Sequence, residues 1–213
     1  MAIGKAEEGD ETEPVRPPYG APDNEVPATL AVDAVLGSTD DVVIYLAAMS
    51  VYSSGVRFTL EVRARPGWSA PSGGQAWEAV HGHSRDGDRL LLGVEYADGR
   101  SGSNLEGPFA SGAITLRSGS SSGGSRSASV DWYLAPLPPP GDVRLYCAWP
   151  GAGIEETVAV LDGGLLREAA SRVRELWPWE PERYEEAGRP LPPVLPAGGW
   201  FAAHSKPVTE PTD

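Results

Sequence analysis

The chain has 213 residues, with 17 Lys and Arg against 30 Asp and Glu, a formal net charge of −13. That balance works against nucleic acid and anionic membrane surfaces, both of which attract clustered Lys and Arg. No apolar run approaches the roughly 18–20 residues that span a bilayer, so no membrane association is expected.

The 21 prolines and 26 glycines imply many turns and Pro-rich ends. The N-terminus, Met1 to Glu8, carries no apolar signal region, and the expected location is the cytoplasm. Cys147 is the only cysteine, which excludes an internal disulfide and a thiolate cluster within one chain.

Residues 1–26 are acidic and Pro-rich and read as a disordered tail, because they hold too little apolar surface to offset the entropy of ordering. The acids Glu7, Glu8, Asp10, Glu11, Glu13, Asp23 and Glu25 stand against Lys5 and Arg16. A folded body is expected over residues 27–177. Leu30, Val32, Ala34 and Leu36 alternate as a first strand, and Gly37 to Asp41 turn the chain. Val42 to Tyr52 is apolar on both faces and reads as a central strand. Ser53-Ser54-Gly55 joins it to Val56 to Arg65, where apolar and polar residues alternate strictly. Val56, Phe58, Leu60 and Val62 are expected inside. Arg57, Thr59, Glu61, Arg63 and Arg65 are expected outside.

Pro66 to Gly74 is a breaker-rich loop, and Gln75 to Gly87 fits either a short helical turn around Trp77 and Val80 or a loop. Arg89 to Ala97 alternates as a strand, with Leu90, Leu92, Val94 and Tyr96 on one face. Ile114 to Arg117 reads as a short edge strand, and Ser118 to Ser127, nearly pure Ser and Gly, as a flexible loop. Further strands are expected over Ser129 to Ala135, Asp142 to Trp149 and Glu155 to Leu161. Then the period changes. Asp162 reads as an N-cap, and Leu165, Ala169, Val173 and Leu176 form a stripe widened by Leu166, Ala170 and Trp177. This predicts an amphipathic helix over about 163–177, stopped by Pro178. Residues 178–213 form a second Pro-rich acidic tail.

The fold expected from this order is mainly β: an antiparallel immunoglobulin-like β-sandwich of seven or eight strands plus one C-terminal amphipathic α-helix, with a closed barrel as the alternative.

Signals for chemistry are sparse. His81-Gly82-His83 followed by Asp86-Gly87-Asp88 is a cluster of metal-ligand types, but its spacing equally fits a solvated turn, and His204 is the only further histidine. No Gly-x-Ser-x-Gly elbow precedes a helix, and no phosphate loop ends in Lys-Ser/Thr. Glu155 and Glu156 are adjacent, so on a strand they face opposite sides. Cys147 falls on an apolar strand face, as an inert core thiol does. The reading is therefore not an enzyme, with no cofactor and no resident metal.

Binding candidates are the outward row Arg57, Arg63 and Arg65 with Trp68 nearby, since Arg and Trp are favoured at protein interfaces. The plainer alternative is a solvated face on which Glu61 and cross-strand acids pair with these arginines. In either case the face suits the chain's own acidic tail. Trp77 joins Trp68 as a possible aromatic platform for carbohydrate or another small ligand. In the C-terminal tail, Arg189 to Pro196 favours polyproline II, and Trp200-Phe201 forms an apolar hook. The expected partner is another protein or a second copy of the chain. A hydrolase on a sandwich scaffold is the third reading.

The segments Asp40 to Ile44, Val56 to Arg65, Leu92 to Arg100, and Pro136 to Gly141 leading to Cys147-Ala148-Trp149-Pro150 resemble a group of β-sandwich proteins from high-GC Gram-positive bacteria. The likeness covers about residues 25–178. That group carries no assigned activity, so the resemblance implies a fold and no site.

Overall fold

Strict alternation over Val56–Ala64 separates an inner from an outer face, and the rest of the molecule is arranged around that division. A computed structural model describes residues 20–69, 76, 80, 89–105 and 114–181. The chain divides into two compact units, Met1–Trp179 and Glu180–Asp213, and every described strand lies in the first.

The strands are β1 (Glu25–Val26), β2 (Ala28–Leu30), β3 (Ala34–Ser38), β4 (Val42–Val51), β5 (Val56–Ala64), β6 (Leu91–Tyr96), β7 (Ser101–Ser103), β8 (Thr115–Gly123), β9 (Ser127–Ala135), β10 (Asp142–Trp149), β11 (Ile154–Asp162) and β12 (Arg174–Glu175), with one α-helix, α1 (Gly163–Ala170). The larger sheet runs β2–β4–β5–β9–β8, with β3 also pairing with β4. The smaller runs β11–β10–β6–β7. Described pairings are antiparallel, and the chain passes from the larger sheet to the smaller twice, between β5 and β6 and between β9 and β10.

One continuous core lies between the two sheets. Ile44, Phe58, Leu60, Val62, Val130 and Trp132 from the larger sheet meet Leu92, Val94, Tyr96, Leu145, Cys147 and Trp149 from the smaller. Each large aliphatic or aromatic side chain buried this way contributes about 1.5–3 kcal/mol. The fold is a mainly β, antiparallel sandwich with one helix, as the alternation predicts.

Local differences from the sequence reading have physical causes. The first strand is split into β2 and β3 around residues 31–33, both laid along β4. The fold also takes in Asn24, Glu25 and Val26, just before the expected boundary, because β1 pairs with β12.

Most of Ser118 to Ser127 is strand, and only residues 124–126 form a turn. Thr115–Gly123 is a full strand on β9, with a bulge between Ser118 and Ser121. Main-chain hydrogen bonds to a well-formed neighbour hold it extended although its Ser and Gly side chains have little strand preference.

The helix is shorter than about 163–177. It ends at Ala170, and the chain turns back into β12. Asp162 does cap it, accepting from the Gly164 N–H at 2.7 Å. Its buried side is Leu166 and Ala169, while Leu165, Leu176 and Trp177 are exposed. Pairing of Arg174 and Glu175 with β1 outcompetes continued helix, because it ties down both ends of the domain. Ala76 and Val80 have helical backbone and are buried, in line with the helical alternative for that stretch.

Candidate interaction surface

The register of the larger sheet brings together side chains far apart in the sequence. Arg57 on β5 stands opposite Tyr133 on β9, and Tyr133 stands opposite Arg117 on β8. All three belong to the outer face, since their strand neighbours Val56, Phe58, Trp132 and Leu134 are buried in the core. With strands about 4.8 Å apart, the two arginine backbones lie roughly 10 Å from each other across the tyrosine.

The next row pairs Thr59 with Asp131, and the Thr59 hydroxyl donates to Asp131 Oδ1 at 2.7 Å. Here the small residues of β8 matter. Ser118, Gly119 and Ser120 pass the bulge without bulk, leaving a cleft of about 310 Å³ bounded by Arg57, Arg117, Asp131 and Tyr133. Gly20 and Ala21 complete its wall.

The cleft has a firm edge. Tyr52, Tyr133 and Ala135 form a second apolar cluster on this face, and Ala21 packs against it. The two tyrosine rings meet edge-on at 6.4 Å, and the Ser54 and Tyr133 hydroxyls lie 2.8 Å apart. The Arg57 guanidinium sits 5.5 Å from the Tyr52 ring centre. That contact steadies the cation without neutralising it, and Arg57 has no carboxylate partner among the described residues. Arg57, Arg117 and the Asp131 carboxylate all line this cleft, in a chain whose net charge is −13.

The other candidates are placed differently. Arg63 is ion-paired with Glu61 two residues back on the same strand and lies over the Tyr45 ring at 5.9 Å. It is a satisfied surface charge, as the plainer reading of this row anticipated. Arg65 is exposed just past the end of β5, where its backbone N–H bonds the Asp41 carbonyl at 2.9 Å. Trp68 is half-buried and packs edge-on against Trp149, with ring centres 5.6 Å apart. It packs against the core as a partly buried side chain. Trp77, Trp200, Phe201, His81, His83, Asp86 and Asp88 lie outside the described residues, so neither the aromatic-platform nor the metal reading gains a geometry.

Cys147 is buried, and burial pushes its thiol up to about 12. A further cavity of about 170 Å³ lies over Gly93 on the outer face of the smaller sheet, beside Leu105, Tyr146 and Glu156. Another, of about 130 Å³, lies beside Arg89, Asn104 and Trp132. Neither brings two cations together among the described residues. No helix among the described residues is long and apolar enough to cross a membrane.

Compared with known proteins, the chain matches no family model, no curated protein and no solved structure.

Proposed function

We propose that this protein is a non-catalytic interaction module that takes a carboxylate-bearing segment of another protein on the outer face of its larger sheet. The observation that carries this reading is the Arg57–Tyr133–Arg117 row across three strands. Arg and Tyr are the residue types favoured at protein interfaces, and guanidinium matches carboxylate geometry with paired N–H donors. Among the described residues, Asp131 is the one carboxylate lining the cleft.

The strand order supports the immunoglobulin-like reading of the scaffold. β4–β5–β9–β8 facing β11–β10–β6–β7 follows the arrangement in which strands A, B, E and D face G, F, C and an added C′. Such a sandwich serves as a rigid platform with its binding chemistry on the surface.

The test is fluorescence anisotropy with a labelled peptide carrying Glu or Asp three residues apart. In the full chain, Arg57→Gln together with Arg117→Gln is expected to weaken binding about five- to thirtyfold, the loss of two exposed charge contacts at about 0.5–1 kcal/mol each. Arg63→Gln, whose partner is Glu61, leaves binding unchanged. Equal binding by the double variant, or an equal loss from Arg63→Gln, refutes the reading.

A further inference from the structure

A second site lies on the inner side of the larger sheet, at its β8 edge. We infer that the cavity of about 130 Å³ lined by Trp132, Ser118 and Arg89 binds a short-chain carboxylate of acetate or propionate size. The inference is independent of the outer-face reading above, because neither Arg57 nor Arg117 takes part in it.

The cavity follows from one row of side chains. The register of β5, β9 and β8 sets Phe58, Trp132 and Ser118 side by side. Phe58 and Trp132 belong to the core, and the row then ends in a serine, too small to close the space beside the indole. Val130 bounds that space from the larger sheet. Leu90, just before β6, and Asn104, just after β7, bound it from the smaller. Ser118 is exposed, so this corner of the cavity lies at the surface.

The lining is rich in donors. Trp132 is only 5 % exposed, and its Nε1–H is buried without a hydrogen-bond partner. Leaving a buried donor unpaired costs its desolvation, and nearly all such groups in folded proteins have a partner. Arg89 lines the same cavity and has no carboxylate partner among the described residues. The Asn104 side-chain oxygen is already engaged by the Leu92 N–H at 2.9 Å, and its Nδ2 donates to the Leu90 carbonyl at 2.8 Å. What remains is the second Asn104 amide hydrogen, the Ser118 hydroxyl, the indole N–H and a guanidinium, each able to donate.

Donors around one cation suit an acceptor with a single negative charge. One water takes about 30 Å³ of liquid, so the cavity holds about four such volumes, the size of a very small organic acid. The carboxylate oxygens meet the indole, the hydroxyl and Arg89, and the methyl or ethyl end meets Val130 and Leu90. A water molecule satisfies the indole but leaves the Arg89 charge uncompensated. Phosphate carries more charge than one guanidinium offsets and has no apolar end.

The test is an NMR titration of the full chain with sodium acetate at constant ionic strength, with sodium chloride as the control. The chain has 7 tryptophans, and the indole N–H signal lost in Trp132→Phe is the one to follow. It is expected to move saturably, with a dissociation constant on the order of 1 mM for so small a ligand. The amides of Tyr52, Ser54 and Arg57, beside the outer cleft, stay still. Arg89→Gln is expected to weaken binding about tenfold, the loss of one hydrogen bond to a charged group. Ser118→Leu, at an exposed edge position, fills the cavity and abolishes the movement, while unshifted amides of Val94 and Leu145 show that the fold is kept.

A Trp132 signal that stays still well above that concentration, or moves equally with chloride, overturns the inference and leaves the cavity to water. Undiminished binding by Arg89→Gln or by Ser118→Leu overturns it as well. Phosphate acting as strongly as acetate refutes the carboxylate assignment. If acetate moves the Arg57 signals and not Trp132, this inference falls and the proposed function stands.

Discussion

Asn24 is the one buried polar side chain among the described residues, and it joins the two ends of the domain. Its Nδ2 donates to the Trp177 carbonyl at 2.7 Å and to Glu175 Oε1 at 3.2 Å, and the Asn24 backbone carbonyl accepts from the Leu176 N–H at 2.8 Å. Asn24→Ala removes both side-chain donors and leaves the Trp177 carbonyl without that partner. The lost bonds and the stranded acceptor together cost about 2–3 kcal/mol. For a chain of this size that lowers the melting temperature by about 4–12 °C. Urea unfolding followed by tryptophan fluorescence measures it, with the denaturant slope unchanged if the native fold is kept. Asn24→Asp is the sharper probe. A carboxylate is the same size but accepts only, and it would face the Trp177 carbonyl and the Glu175 carboxylate. It is expected to cost more than alanine at neutral pH. A loss under about 0.5 kcal/mol for alanine, or wild-type stability for aspartate, refutes the view that this side chain clasps β1 to β12.

Two further outcomes follow from close packing and from burial. At Gly55 an added Cβ would meet Tyr133 Oη at 2.7 Å and the Leu134 carbonyl oxygen closer still, so Gly55→Ala is expected to destabilise by about 1–3 kcal/mol and to shift the Tyr133 ring signals; wild-type stability with an unmoved Tyr133 sinks this account. Burial pushes the Cys147 thiol from 9.0 up to about 12 and moves the Tyr96 hydroxyl well above its ordinary range. Above about pH 9 the unfolded chain loses a proton that the folded chain keeps, so stability is unaffected below that pH and falls by about 1.4 kcal/mol per unit above it, more steeply past about pH 10 as Tyr96 joins. Urea midpoints across that range check the sign; a flat or rising profile contradicts it, and Cys147→Ala is expected to remove the earlier part of the fall.

The sandwich was readable where one face of a strand meets the core. Period-two alternation in Val56–Ala64, Leu91–Tyr96 and Asp142–Trp149 separates buried from outward positions because the inner face has to be apolar along its whole length. Helix length was not readable in the same way. Val173, Leu176 and Trp177 continue the helical spacing, but the competing structure is a strand partner, Glu25–Val26, some 150 residues away. Periodicity within a window carries no term for so distant a hydrogen-bond partner. The same holds for β8: its Ser and Gly residues have no inward pattern to betray a strand, and β9 supplies the reason it is one.

That misreading of β8 is also why half of the candidate site was missed. Arg57 was visible as an outward charge in a patterned strand. The sequence puts Arg117 at the end of a short edge strand before a loop, and nothing in the strand over Ser129 to Ala135 singles out Tyr133. Only the order β5–β9–β8 sets those three side chains in one row. Once β8 is a strand, the outward positions of β5, β9 and β8 line up, and the lack of bulk at Ser118, Gly119 and Ser120 becomes the floor of a cleft. A flexible Ser-Gly loop would leave Arg117 free to wander and would hold no fixed spacing between two cations. A paired strand holds its backbone at a fixed distance from Arg57, so the least patterned stretch of the body is the one on which the proposed binding geometry depends.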